Sequence, residues 1–169
     1  MLSKKIEKAL NAQIKIEAES SQFYLAMASW AETQGLNGTA KFLYAHSDEE
    51  RIHMLKLVKF VNERGGHAEI PALSQPPIEF KSLQFIFESL LKHETMVTQK
   101  INDVVDVCLK EKDYTTHNFM QWYVSEQIEE EGLARTIMDK VNMIGNDKGG
   151  LYLFDRDLEN MNFASEQGA

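Results

Sequence analysis

Carboxylates set into the middle of helical apolar stripes limit what this chain can fold into more than any other feature. Between about residues 82 and 112 the stripe reads Leu83, Phe87, Leu90, Glu94, Val97, Ile101, Val104, Cys108, stepping by three and four, with Glu94 at its centre. The stretch from about Thr39 to Arg64 repeats this through Leu43, His46, Glu50, His53, Leu57 and Phe60. A third, starting near Asp113 to Thr115 and ending before Gly145, runs Tyr123, Gln127, Glu130, Ala134, Ile137, Val141; the first, from about Ser3 to Thr33, offers Ile6, Leu10, Glu17, Tyr24 and Ala28. Four amphipathic helices of this length bury their stripes against one another, so the expected fold is all-α, a four-helix bundle. Its interior then carries ligand-type side chains at mid-length on every helix.

Stop signals and loop lengths constrain the topology. Ser3 is a natural N-cap, Gly35 with Asn37 and Gly38 reads as the turn closing the first helix, and Gly65-Gly66 ends the second. The first and third connections are short, which makes helices one and two, and three and four, antiparallel neighbours. Between helices two and three lies GHAEIPALSQPPIEFK, where Pro71, Pro76 and Pro77 forbid helix. About 14 extended residues reach about 45 Å, roughly the length of a long helix, so this piece serves as a crossover running along the bundle. A short fifth helix is expected over about 150–161, with Ala164 to Ala169 a frayed tail, and the whole of 1–169 as a single domain.

Composition excludes several classes. The 169 residues carry a formal net charge of −8, which repels a phosphate backbone, and no basic stripe offsets it, so nucleic acid is not an expected partner. No apolar run approaches the roughly 20 residues of a membrane span. Residues 1–15 mix charge with apolar side chains, unlike a signal peptide, so the expected location is the cytoplasm. Cys108 is the only cysteine and reads as a small buried apolar residue.

Burying several unpaired carboxylates costs several kcal/mol each, so something must neutralise them. Clustered Glu with a His suits a hard or borderline cation, and two cations balance the charge better than one. Glu50 and His53, three apart on a helix, can reach one ion from one face. The halves also repeat: a shift of 77 positions carries Glu17 to Glu94, Glu49 to Glu126, Glu50 to Gln127 and His53 to Glu130, and pairs Phe42 with Phe119 and Leu43 with Met120. That is the pattern of two helical hairpins about a pseudo-two-fold axis. His46, His67, His93 and His117 are expected to take no part in metal chemistry.

The set Glu17, Glu50-x-x-His53, Glu94 and Gln127-x-x-Glu130 resembles that of the bacterial non-haem ferritins, and the resemblance covers nearly the whole chain, crossover and fifth helix included. It implies a ferritin-like di-iron fold, the architecture for which core Glu and Glu-x-x-His placement is a known example. It further implies that Glu17, Glu50 and His53 hold one iron, that a bridging Glu50 with Glu94 and Glu130 holds a second, and that Gln127 orients oxygen or water. Glu49, Glu126, Glu129 and Glu130 match a third, weaker iron site. Tyr24 matches a tyrosine beside the pair and Trp122 a nearby aromatic, both candidates for supplying an electron. The implied function is ferroxidase activity, Fe2+ to Fe3+ with O2 or H2O2, and storage of ferric mineral inside a hollow homo-oligomeric shell of 24 subunits.

Departures narrow the choice. Haem-binding bacterioferritins carry a second Glu-x-x-His on helix four and a Met directly after the first motif's glutamate; here Gln127, Glu130 and Arg51 stand there, so haem is not expected. The acidic pore of the animal proteins near the start of helix four is replaced by DYTTHNFM. A rubrerythrin-type di-iron peroxidase would add a Cys-x-x-Cys module that one cysteine cannot supply. A DNA-protecting mini-ferritin places its ligands between subunits and lacks this set.

Overall fold

A computed structural model describes residues 2–161; the expected tail at 164–169 lies outside them. Five helices are found: α1 (Lys4–Thr33), α2 (Asn37–Glu63), α3 (Leu83–Glu111), α4 (Tyr114–Ile144) and α5 (Lys148–Asn160). Four helix starts carry caps near in sequence, with Ser3 accepting from the Ile6 amide, Ser82 from Phe85, Asp113 from Thr116 and Asp147 from Gly150. Lys112, at φ 56, turns the chain so tightly that α4 begins three residues after α3 ends.

Two starts differ from the sequence expectation. Gly35, at φ +74, alone makes the turn after α1, so Asn37 and Gly38 belong to the first turn of α2. The missing signal was a cap: Leu36 offers no side-chain hydrogen bond, and the amides of Gly38 and Thr39 are met instead by Asp155 of α5, at 3.0 and 2.8 Å. Gly38 is required there, because a Cβ on it would lie 1.7 Å from the Asp155 carbonyl oxygen. Likewise α5 starts at Lys148 rather than Gly150, since Asp147 caps it and both glycines fall inside its first turn.

Contacts along the helices give the directions. Lys5 meets Glu111 and Tyr24 meets Glu94, so α1 and α3 are antiparallel; Arg64 meets Asp113, and Tyr123 meets His53, so α2 and α4 are too. With α1 and α2 antiparallel, α2 and α3 are parallel, and the chain between them must travel the bundle's length. It does so along α1. Asn11 and Glu7 hold the backbone of His67 and Glu69 at one end, while Phe80 packs on Phe23 and Trp30 at the other.

The interior is two apolar cores with a polar layer between them. One core, including Met27, Phe42, Phe87, Ile137 and Phe154, lies at the α5 end. The other, including Ile6, Leu10, Leu57, Ile101 and Met120, lies at the opposite end. All eight stripe residues of α3 are buried, Glu94 among them; on α2 the stripe ends at Val61, with Phe60 only half-buried and stacked on Phe119. The 77-residue repeat extends to element boundaries, for α2 begins at Asn37 and α4 at Tyr114.

Candidate metal centre

Helical register carries the polar residues inward because they occupy stripe positions, and packing of the apolar neighbours buries them. Glu17 is 1% exposed, Glu50 2%, His53 3% and Glu94 0%. Among the described residues no lysine or arginine pairs with any of them. Three groups of ligand-type atoms have all members within 4.8 Å of one another: Glu17, Glu50 and His53; His46, Glu49 and Glu130; and Glu49, His53 and Glu126. The first is wholly buried and the third faces outward, with Glu49 and Glu126 half-buried.

Glu17 and Glu94 are oriented by hydrogen bonds from neighbours. Gln13, one turn before Glu17, donates to it at 2.8 Å. Tyr24 donates its hydroxyl to Glu94, and Gln127 donates to the other Glu94 oxygen at 3.1 Å. Glu94 is thus turned toward Tyr24 and Gln127 and joins none of the three groups, though its charge acts on Glu50. The His53 Nδ1 lies 3.7 Å from Glu50, and Tyr123 donates to the His53 carbonyl at 2.8 Å.

Electrostatics follow from burial. Desolvation, then the Glu50 charge, holds the Glu17 carboxyl well above its usual range; desolvation, then Glu94, does the same to Glu50. Burial and then Glu130 push Glu94 up to about 7. Glu130 moves the opposite way: burial disfavours its charge, but His46 beside it more than offsets this, while the His46 imidazole is raised despite its own burial. Glu49 and Glu126 are both raised, by burial first. One Glu50 oxygen is buried with no hydrogen-bond donor among the described residues. Converging buried oxygens with an imidazole nitrogen, and no lysine or arginine paired with them among the described residues, suit a transition-metal cation.

A ferritin-like domain model matches residues 7–144. A "probable bacterial non-heme ferritin-like protein" of Haemophilus influenzae is 48% identical, over 95% of this chain and 98% of its own. The "bacterial non-heme ferritin" of Campylobacter jejuni is 46% identical, over 95% and 96%. The chain belongs to the bacterial non-haem ferritin family. A solved ferritin from Archaeoglobus fulgidus, described as an open-pore form, superposes on this ferritin with a TM-score of 0.94 at 40% identity, covering 96% of this chain and 100% of that one.

Within this ferritin the expected site residues fall into three sets. Glu17, Glu50, His53, Glu94, Gln127 and Glu130 all reach the buried layer. Glu49 and Glu126 come together with His53, whereas Glu129 is exposed and outside the groups, close enough for its charge to raise both. Tyr24 touches Glu94, and the Trp122 ring stands 5.1 Å from that of His53, nearly perpendicular.

One residue stands closer to the cluster than the sequence indicated. His46 is not remote from the cluster: its Nε2 lies 3.3 Å from Glu130, and it belongs to a candidate metal group. The signal was in the stripe, since His46 precedes Glu50 by one turn on the buried face. His93 is held away, its pKa lowered to about 4 by burial and its Nε2 bonded to Ser20 at 2.7 Å. Gln13 also went unnoticed; its four-residue spacing to Glu17 was the available clue.

Proposed function

We propose that this ferritin stores iron by oxidising Fe2+ to Fe3+ at a di-iron centre within each subunit, with O2 or H2O2 as oxidant, and deposits the product as mineral in a hollow shell of 24 copies. Iron is substrate and cargo. In this reading Glu17, Glu50 and His53 hold one ion; Glu50, as a bridge, with Glu94 and Glu130 holds the other. Gln127, bonded to Glu94, orients rather than ligates. A third, outward ion is assigned to Glu49, Glu126, Glu129 and Glu130, on the path from surface to centre.

The observation that carries the reading is the convergence of Glu17, Glu50 and His53 with no lysine or arginine among the described residues paired to offset their charge. Ions that arrive, lose electrons and leave fit a site whose carboxylates meet neutral hydrogen-bond donors or an imidazole rather than a lysine or arginine. Tyr24 is assigned as an electron source because its phenol already donates to Glu94. No described helix is long and apolar enough to cross a membrane, and we place the protein in the cytoplasm as one domain over its whole length.

The deciding experiment gives ferrous ion and air to the purified protein. Ferric absorbance growing with many irons retained per chain, in particles of shell size by light scattering, supports storage. Binding that stops at a few ions per chain overturns it.

A further inference from the structure

Tyr24 and Trp122 are two oxidisable rings at the carboxylate layer, one beside Glu94 and the other beside His53. Tyr24, wholly buried, donates its hydroxyl to Glu94. Trp122 stands against His53, and among the described residues nothing accepts a hydrogen bond from its indole N–H. Of these two rings, Trp122 is the one with a cation on its face among the described residues: the Lys56 Nζ lies 3.5 Å from the ring centroid. Lys56 follows His53 by three residues on α2, and Glu126 follows Trp122 by four on α4, so ammonium, indole and carboxylate share one edge of the helix pair. Partial burial lowers the Lys56 pKa and the Glu126 charge opposes that, the mark of an ammonium lodged between the helices.

A cation above a neutral indole is attracted to its electron-rich face. The same cation above an indole that has lost an electron is repelled, because the ring now carries positive charge with no neighbour to take its proton. Tyr24 has no such obstacle. When it gives one electron to an oxidant, its phenolic proton passes along the existing hydrogen bond to Glu94, leaving a neutral ring.

We propose that Lys56 is a positioning residue that decides which aromatic side chain supplies an electron, its ammonium over Trp122 suppressing oxidation of the indole and reserving that role for Tyr24. The assignment to iron loading rests on the function proposed above. There the oxidant is the hydroxyl radical that arises when ferrous ion meets hydrogen peroxide; it takes one electron from Tyr24 and becomes hydroxide, while Glu94 takes the proton. A second consequence is protective, because an oxidised Trp122 would lie against the His53 imidazole.

The test needs no iron. Assembled protein is exposed to azidyl radicals generated by pulse radiolysis, and oxidation at Trp122 is measured by peptide mass mapping against Trp30, a half-buried reference ring. Lys56→Met should raise the Trp122 to Trp30 oxidation ratio about fivefold or more, the size of a unit-charge repulsion at this distance even in a high dielectric. Lys56→Arg, which keeps the charge, should match wild type. An unchanged ratio in Lys56→Met overturns the proposal, as does a rise in Lys56→Arg equal to that in Lys56→Met, which would mean steric shielding. A failure of iron retention would instead strike at the storage reading and leave this measurement standing.

Discussion

Asp155 on α5 caps α2 through Thr39, accepting from both its amide and its hydroxyl at 2.8 Å across 116 positions of sequence. The N-terminus of α2 therefore depends on α5 being docked, and α5 on a glycine at 38.

Asp155→Ala should cost about 1–2 kcal/mol, as loss of an N-cap does. Gly38→Ala should cost more, because its methyl would collide with backbone rather than a side chain. Thermal melts give both values. Faster hydrogen exchange at the Gly38 and Thr39 amides in Asp155→Ala would locate the loss; unchanged exchange there would show that the cap does not hold the helix.

Glu50→Ala should have opposite effects on stability and activity. It removes a carboxylate that burial and Glu94 hold well above its usual pKa, so the metal-free protein should melt a few degrees higher. Fast iron oxidation should fall by a factor of about a hundred or more, since both ions lose a ligand. His53→Ala should show the same kinetic loss. An unchanged oxidation rate in either variant refutes the assigned centre.

The stability of metal-free protein should rise as pH falls from about 8 to about 5. Glu94, raised to about 7, must fold with an unwelcome charge above that pH and is relieved of it as pH drops through 7 toward the unfolded value; Glu17 and Glu50 are also held well above their usual range and act in the same direction. His46, also raised, loses its stabilising charge as pH climbs, which adds to the slope, whereas the lowered Glu130 contributes stability that is lost only below its ordinary range. Saturating Zn2+ should flatten the profile by supplying the charge. Melting temperatures across pH, with and without Zn2+, check both statements, and a flat metal-free profile would contradict the first.

Glu129→Ala should alter iron oxidised per oxygen consumed while leaving the melting temperature within about a degree, because Glu129 is exposed yet acts on Glu49 and Glu126. Oxygen-electrode stoichiometry decides it; an identical ratio removes Glu129 from the third site.

The stripes were legible because helical periodicity and burial report the same thing. Glu94 amid Leu90 and Val97 could only be interior, and the 77-residue shift showed that Glu17 had a counterpart. What sequence hid were contacts between elements far apart in the chain. Asp155 looks like any polar residue on a short helix until α5 lies across the start of α2. Gly38 reads as a turn residue because close backbone approach and turn formation call for the same side chain. The His46 contact was hidden for a different reason: a histidine on a buried face is ordinarily satisfied by backbone, and only the arrival of Glu130 from α4 distinguishes it.

The crossover is the one covalent link between two hairpins that otherwise meet through packing and polar contacts. α1 with α2 and α3 with α4 each close through a connection of a few residues, and in the chain the piece from Gly65 to Ser82 ties one pair to the other. That strap supplies effective concentration rather than structure at the carboxylate layer, to which it contributes no ligand. A chain nicked near Pro76 would retain every residue of the centre on two complementary fragments, free to find each other again.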